Sequence, residues 1–234
     1  MPYNGLPRSL SRAYAVEAPP SRSEQADRQI KERIIILKLP PASIINEVAL
    51  MAELGRGRTP IREAFQRLSW KDLVVILPRR GIYVAEINLN DLRHIFEIRH
   101  QLKGSAARFA AERATPEDCT ALHKLLADSH ELLESGENIA LIHLDREFHH
   151  RLVQTSHNPF LGDILGRLYS LSLRLWYASL GTVEHLREAV AEHRRVVEAI
   201  EVDNGETGEA VMAGHVLGFQ RPLEQIINPT ILRI

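Results

Sequence analysis

Asp145 and His149 stand four apart in a segment where Leu141, Leu144, Phe148 and Leu152 recur at helical spacing, so both belong to the buried side of one helix. His193 falls inside the stripe Leu186, Val190, Val197 and Ile200, and His215 inside the stripe Val211, Met212 and Phe219. One carboxylate and three imidazoles therefore face inward from three helices. Burying such groups without partners is costly, so they must satisfy one another, hold water or bind a cation. A hydrogen-bonded core is one solution, with Asp145 merely fixing the tautomer of His149. A divalent ion is the other, and an Asp-His₃ donor set without thiolate suits Zn²⁺, Ni²⁺ or Mn²⁺. His143, His150 and His157 lie nearby on other faces. Arg99 is a second anomaly, since it shares the inward stripe of Ile95, Phe96 and Leu102, where a guanidinium needs an anion. Either a bundle carboxylate pairs with it, or the carboxylate or phosphate of a small ligand is held there in bidentate fashion.

The elements that must position these groups are helical. From residue 90 onward no strand pattern occurs, and Pro and Gly breaks predict six amphipathic helices over 90–113, 116–135, 137–156, 159–180, 182–203 and 206–227. Short connections favour antiparallel packing of neighbours in an all-α bundle. The N-terminal part reads differently. Residues 1–22 contain Pro2, Pro7, Pro19 and Pro20 without apolar periodicity and are expected to form a flexible arm. Ile30, Ile34 and Leu37 predict a helix over Ser23–Lys38, with Ser23 as N-cap and Pro40-Pro41 beyond its end. Glu47–Leu54, closed by Gly55, and a further helix from Thr59-Pro60 to about Trp70 form a helix-turn-helix. Two β-rich runs, Leu73–Leu77 and Ile82–Ala85, flank Pro78-Arg79-Arg80-Gly81 and make a basic hairpin, or wing.

In the helix after the turn, Ile61, Ala64, Phe65 and Leu68 face inward, leaving Arg58, Arg62 and Gln66 outside. Arginine and glutamine reach base edges in a major groove with bidentate geometry, as a recognition helix requires. Arg79 and Arg80 of the wing are suited to phosphates or a minor groove. On a lone helix the same arginines would be an ordinary solvated face; the order of helix, helix-turn-helix and basic wing is what points to DNA.

Composition agrees with this division. Residues 1–88 hold 14 Lys and Arg against 9 Asp and Glu, a net of +5, and the remainder holds 15 against 21, a net of −6. A basic half that meets a polyanion and an acidic half with another task are implied. At 234 residues and 44% hydrophobic the chain can bury real cores. Cys119, the only cysteine, excludes an intramolecular disulfide and thiolate-rich metal sites. No apolar run approaches the roughly 20 residues of a membrane span, and the N-terminus lacks the apolar core of a signal peptide, so a cytoplasmic protein is expected. Residues 1–22 are read as arm, 23–88 as the winged unit, 89–228 as the bundle and 229–234 as a tail. The fold class expected is mainly α, a winged helix-turn-helix followed by an all-α six-helix bundle.

The run Arg58-Thr59-Pro60-Ile61-Arg62-Glu63-Ala64, with Leu73-Val74 and the Arg80-Gly81-Ile82-Tyr83-Val84 wing, resembles the DNA-binding domain of GntR-family transcriptional regulators. The later helices are similar to the FadR-type, or FCD, effector domain, and six of them look more like the branch named after VanR. The resemblance implies a repressor-type homodimer on a palindromic double-stranded operator, with Arg58, Thr59, Arg62, Gln66, Arg79 and Arg80 at the DNA and Gly81 shaping the wing tip. It also implies a Zn²⁺ or Ni²⁺ site at Asp145, His149, His193 and His215, and Arg99 contacting a small anionic metabolite, a carboxylate. Three departures stand out, one being that Glu47 is followed by Val48 and Ala49 where many relatives carry a basic or acidic residue, which removes a possible DNA contact. Arg56 and Gly57 occupy places usually held by a small apolar residue and Ser, removing a hydroxyl and adding a charge. Lys103 stands where Glu is common, making the cavity entrance more positive if it faces inward. The competing readings are a metalloenzyme built on the Asp-His₃ centre and a DNA-binding protein whose metal is purely structural; in the second, Arg99 should find an internal carboxylate.

Overall fold

The computed structural model describes residues 19–179 and 183–227, so residues 1–18 of the expected arm and all of the expected tail lie outside the described residues. Ten helices and two strands follow in the order α1 (Arg22–Ile35), α2 (Glu47–Leu54), α3 (Arg58–Trp70), β1 (Val74–Leu77), β2 (Gly81–Val84), α4 (Leu89–Arg113), α5 (Pro116–Leu126), α6 (Ser129–Ser135), α7 (Asn138–Thr155), α8 (Pro159–Ser179), α9 (Val183–Glu201) and α10 (Gly205–Ile227). Among the described residues no helix is long and apolar enough to cross a membrane.

The first helix begins and ends earlier than its periodicity predicts. Ser21, not Ser23, is its N-cap: the Ser21 hydroxyl accepts from the Glu24 N–H and the Glu24 carboxylate accepts from the Ser21 N–H, a capping box. Ser23 lies inside the first turn, buried, and its hydroxyl accepts from Arg67. The helix closes before Lys38 because Leu37 takes a φ of 60° and the Leu39 N–H turns back to the Arg33 carbonyl at 2.9 Å. α2 ends as predicted on Gly55, whose φ of 60° suits a residue without Cβ. The wing strands pair antiparallel with Val74 opposite Val84 and Leu77 opposite Gly81, and Ile44 adds a bridge to Tyr83. Ile30, Ile34, Ile61, Phe65, Leu68, Leu73 and Val84 make the core of this winged unit.

In the bundle the expected helix over 116–135 divides into α5 and α6. The buried Ser129 hydroxyl donates to the Leu126 carbonyl at 2.6 Å and accepts from Arg194, turning the chain where the helix would have continued. The bundle therefore has seven helices among the described residues, not six, and the helix count gives no ground for the VanR-named branch. α10 lies along α4 at close range: a Cβ on Gly104 would meet the Glu209 backbone oxygen at 3.2 Å, a tight contact that glycine spares without any shift of either helix.

The two units are packed together through α7 and α8. Ile35 of α1 joins Leu141, Ile142, Leu173 and Val190 in one apolar cluster, and Leu171 packs on the winged core. Arg146 pairs with Glu32 at 2.5 Å, Arg167 with Asp72, and Arg174 donates to the Ala85 carbonyl.

α3 starts at Gly57 with extended φ and ψ and no side-chain cap, and a Cβ there would meet nothing within 4 Å. Gly57→Ser is expected to raise the unfolding free energy by about 0.5–1 kcal/mol, through a new N-cap and a stiffer unfolded chain. Urea denaturation measures it; no gain would mean that the added hydroxyl leaves the α3 N–H groups uncapped.

Candidate functional site

α7 supplies Asp145 and His149, α9 supplies His193 and α10 supplies His215, and one ligand atom from each lies within 4.8 Å of all the others. All four residues are buried. Asp145 Oδ1 is 3.6 Å from His149 Nε2 and 3.5 Å from His193 Nε2, and His149 Nε2 is 3.1 Å from His215 Nε2. Neighbours fix the outer atoms. The Tyr169 hydroxyl donates to Asp145 Oδ2 at 2.9 Å, leaving Oδ1 facing the imidazoles. Glu192 Oε2 lies 2.8 Å from His215 Nδ1, which directs the other nitrogen of that ring into the cluster. Phe148 stacks on His193 with ring centres 3.9 Å apart.

Burial pushes the His149 and His193 imidazoliums well below the usual histidine range, and His215 and Lys103 push the same way. Burial raises Asp145, partly opposed by His215 and the Tyr169 hydrogen bond. Burial thus favours the neutral form of His149 and His193, the form that ligates metals. A purely hydrogen-bonded core is incomplete here. His193 Nδ1 and Nε2 and His149 Nδ1 are buried without a hydrogen-bond partner among the described residues. Whichever way the hydrogen bond between His149 Nε2 and His215 Nε2 runs, His193 still keeps both ring nitrogens unsatisfied. Leaving such groups unpaired costs about 1–3 kcal/mol each, whereas a cation among the four would take up the inward lone pairs. The donor set therefore fits a divalent metal.

Arg99 lines the same cavity, which encloses about 50 Å³ beside Asp145, His149 and His215. Its Nη1 donates to Ser172 Oγ at 2.7 Å, its guanidinium lies 5.3 Å from the ring centres of Phe96 and Tyr169, and its Nε has no partner. No carboxylate pairs with it among the described residues. Burial brings its pKa down to about 10, against the pull of Tyr169 and Asp145. Lys103 faces inward too, but does not line this cavity. It is 1% exposed, with Nζ 3.4 Å from the His149 carbonyl and 5.4 Å from the Tyr169 ring centre.

The DNA-side residues expected from the sequence are in the winged unit. Arg58, Thr59, Arg62 and Gln66 are all exposed on α3, opposite the buried Ile61, Ala64, Phe65 and Leu68. Arg62 Nε is 3.5 Å from Glu47 Oε2, an exposed pair easily exchanged. Arg79 and Arg80 are exposed at the wing tip, where Gly81 has a φ of 108° that a side chain would strain. Arg56, by contrast, donates to Gln25 Oε1 at 2.5 Å, and Arg67 pairs with Glu24, so these two serve packing against α1.

A family model for the FCD domain matches residues 94–218, and one for bacterial regulatory proteins of the gntR family matches residues 22–84. The chain belongs to the GntR family. It is 31% identical over 190 residues to the Nta operon transcriptional regulator of Aminobacter aminovorans, a match spanning 80% of this chain and 86% of that one. It is 28% identical over 204 residues to the HTH-type transcriptional regulator YdhC of Bacillus subtilis, spanning 86% and 91% respectively. The solved structure of E. coli McbR/YncC aligns with a TM-score of 0.79 at 25% identity, covering 90% of this chain and 100% of that one. This GntR-family chain is a DNA-binding transcriptional regulator with an FCD effector domain, not an enzyme, and the metalloenzyme reading is set aside.

Tyr169, Ser172 and Glu192 escaped the sequence reading. Each contacts a site residue on another helix, and neither hydroxyl nor carboxylate breaks the apolar pattern of its own helix strongly enough to be noticed. Metal-stripped protein reloaded with Zn²⁺ or Ni²⁺ is expected to bind near-stoichiometrically by elemental analysis, and His193→Ala and His215→Ala to lose the ion. Glu192→Ala should weaken affinity about 10–100-fold, since it orients His215. Failure of folded wild type to take up either ion would withdraw the metal and leave the DNA-binding face untouched.

Proposed function

We propose that this GntR-family regulator is a metabolite-responsive repressor, a cytoplasmic homodimer that reads a palindromic operator and changes its grip when a small organic acid enters the FCD cavity. The observation that carries this reading is Arg99: a buried guanidinium without a carboxylate partner, in the cavity that also holds the Asp-His₃ cluster. A purely structural metal would leave that cation without a purpose. A carboxylate guest would meet the Arg99 fork, while a divalent ion held by Asp145, His149, His193 and His215 would supply a second positive centre for the same anion. The small cavity favours a compact acid. The repressor sign is taken from relatives, since the E. coli proteins RspR, 26% identical, and the galactonate operon repressor, 24% identical, carry that designation.

At the DNA, α3 would enter the major groove with Arg62 and Gln66 toward base edges, while Arg58, Thr59 and the wing residues Arg79 and Arg80 hold phosphates. Two protomers would set half-site spacing, and the acid would alter the relative placement of the two winged units.

Arg62→Ala is expected to cost about 1–3 kcal/mol of specific operator binding and to relax specificity at one base position, read by fluorescence anisotropy on operator and scrambled duplexes. Unchanged affinity and specificity would remove α3 from the recognition role. A thermal-shift screen of small carboxylic acids on metal-loaded protein should find stabilising acids whose effect disappears in Arg99→Gln; acids that stabilise both proteins equally would remove Arg99 from the effector site.

A further inference from the structure

A second cavity, of about 420 Å³, opens on the other side of Tyr169 and His149, between the winged unit and the bundle. Its lining is strongly basic. Arg28 and Lys31 come from α1, Lys103 from α4, and Arg146 and His150 from α7, against Glu147 as the one lining carboxylate. Arg146 is engaged by Glu32 across the domain junction. Lys31 is half-buried and makes neither a hydrogen bond nor an ion pair among the described residues. Lys103 is almost wholly buried, and its ammonium meets the His149 carbonyl at 3.4 Å and the Tyr169 ring at 5.4 Å, with no carboxylate paired to it among the described residues. Burial first, then the charges of Lys71 and Arg146, hold Lys31 below the ordinary lysine range, partly opposed by Asp27 and Glu32. Ile35, Val153, Leu165 and Leu173 supply an apolar wall.

We propose that this interdomain cavity is a second anion site, distinct from the metal cavity, and that it takes a small phosphorylated metabolite. Ammonium and guanidinium groups converging from three helices suit a tetrahedral dianion, which accepts from several directions, better than a planar carboxylate that is satisfied by one fork. The volume exceeds that of phosphate alone, and the apolar wall receives the organic part. Arg99 and Asp145 do not line this cavity, and His149 and Tyr169 form the partition. An occupant would touch α1 of the DNA-binding unit and α4 and α7 of the effector domain at once. It would therefore tie the position of the winged unit to a signal independent of the carboxylate.

Isothermal titration calorimetry of the full-length, metal-loaded protein, without DNA, tests this with inorganic phosphate and with glycerol 3-phosphate. One site per chain is expected, with glycerol 3-phosphate binding more tightly than phosphate. The double variant Arg28→Ala, Lys31→Ala should lose about tenfold or more in affinity, while Lys31→Arg keeps binding. Neither Arg28 nor Lys31 belongs to an apolar core, and a circular dichroism melt verifies that the variants are folded. No binding to wild type, or equal affinity in the double variant, overturns the site. Loss of binding in Arg99→Gln with the double variant unaffected assigns the anion to the metal cavity and also overturns it. Phosphate binding as tightly as glycerol 3-phosphate overturns the choice of a phosphorylated metabolite in favour of the free ion.

Discussion

The effector domain is arranged around the burial of four ionisable side chains in one place. A carboxylate and three imidazoles from α7, α9 and α10 can meet only if three helices are held in register to within an ångström or so, and low dielectric makes any orphaned atom among them costly. The close approach of α10 to α4 across Gly104 fixes one side of that register. Phe148 stacked on His193, and the tight apolar cluster of Leu144, Leu152, Val196, Val197 and Met212, fix another. The core is thus organised to hold polar groups in place, and hydrophobic packing is the means. The unsatisfied nitrogens of His193 are the residue of that design when only protein atoms are counted.

The same helices face the DNA-binding unit. On α8, Tyr169 and Ser172 share one face and reach Asp145 and Arg99, while Arg167, Leu171 and Arg174 share another and reach Asp72, the winged core and the Ala85 carbonyl. On α7, adjacent residues divide the work: Asp145 enters the cluster and Arg146 pairs with Glu32 of α1. Packed helices move as bodies rather than deform, so the proposed guest, by shifting Tyr169 or Asp145, would act on the position of the winged unit through the opposite face of the same helix. How far it can do so is bounded by its own difference in affinity for the two arrangements.

Much of this was legible in the sequence because periodicity sorts side chains by face. Asp145, His149, His193 and His215 interrupt apolar stripes, and Arg99 interrupts another, so their inward direction follows without knowing how the helices assemble. What cannot be read that way is contact between helices. Tyr169 and Glu192 act on residues 24 and 23 positions away, a relation that no local pattern encodes. Boundaries fail for a related reason. Ser21 and Ser23 are equally good caps by type, and only the reach of Glu24 decides between them. The break between α5 and α6 is made by Ser129 turning back on Leu126 with Arg194 from α9 upon it, a tertiary contact overriding a pattern that reads as one helix.

The arginines of the winged unit show how structure sorts charges that look alike in a sequence. Arg56 and Arg67 are drawn toward α1, where Gln25, Ser23 and Glu24 receive them, so the charge added by Arg56 stabilises the domain rather than widening its basic surface. Arg58, Arg79 and Arg80 have no such anchor among the described residues and can exchange water and counterions for phosphate at little cost. Arg62 lies between these cases. Its exposed pair with Glu47 is worth at most about 1 kcal/mol and so is readily exchanged, and the Glu47 carboxylate stays beside it, where it would repel a phosphate. In the proposed recognition role, an arginine next to an acid would be penalised at random backbone contacts and released where a base offers two acceptors, favouring specific over non-specific binding on the same helix.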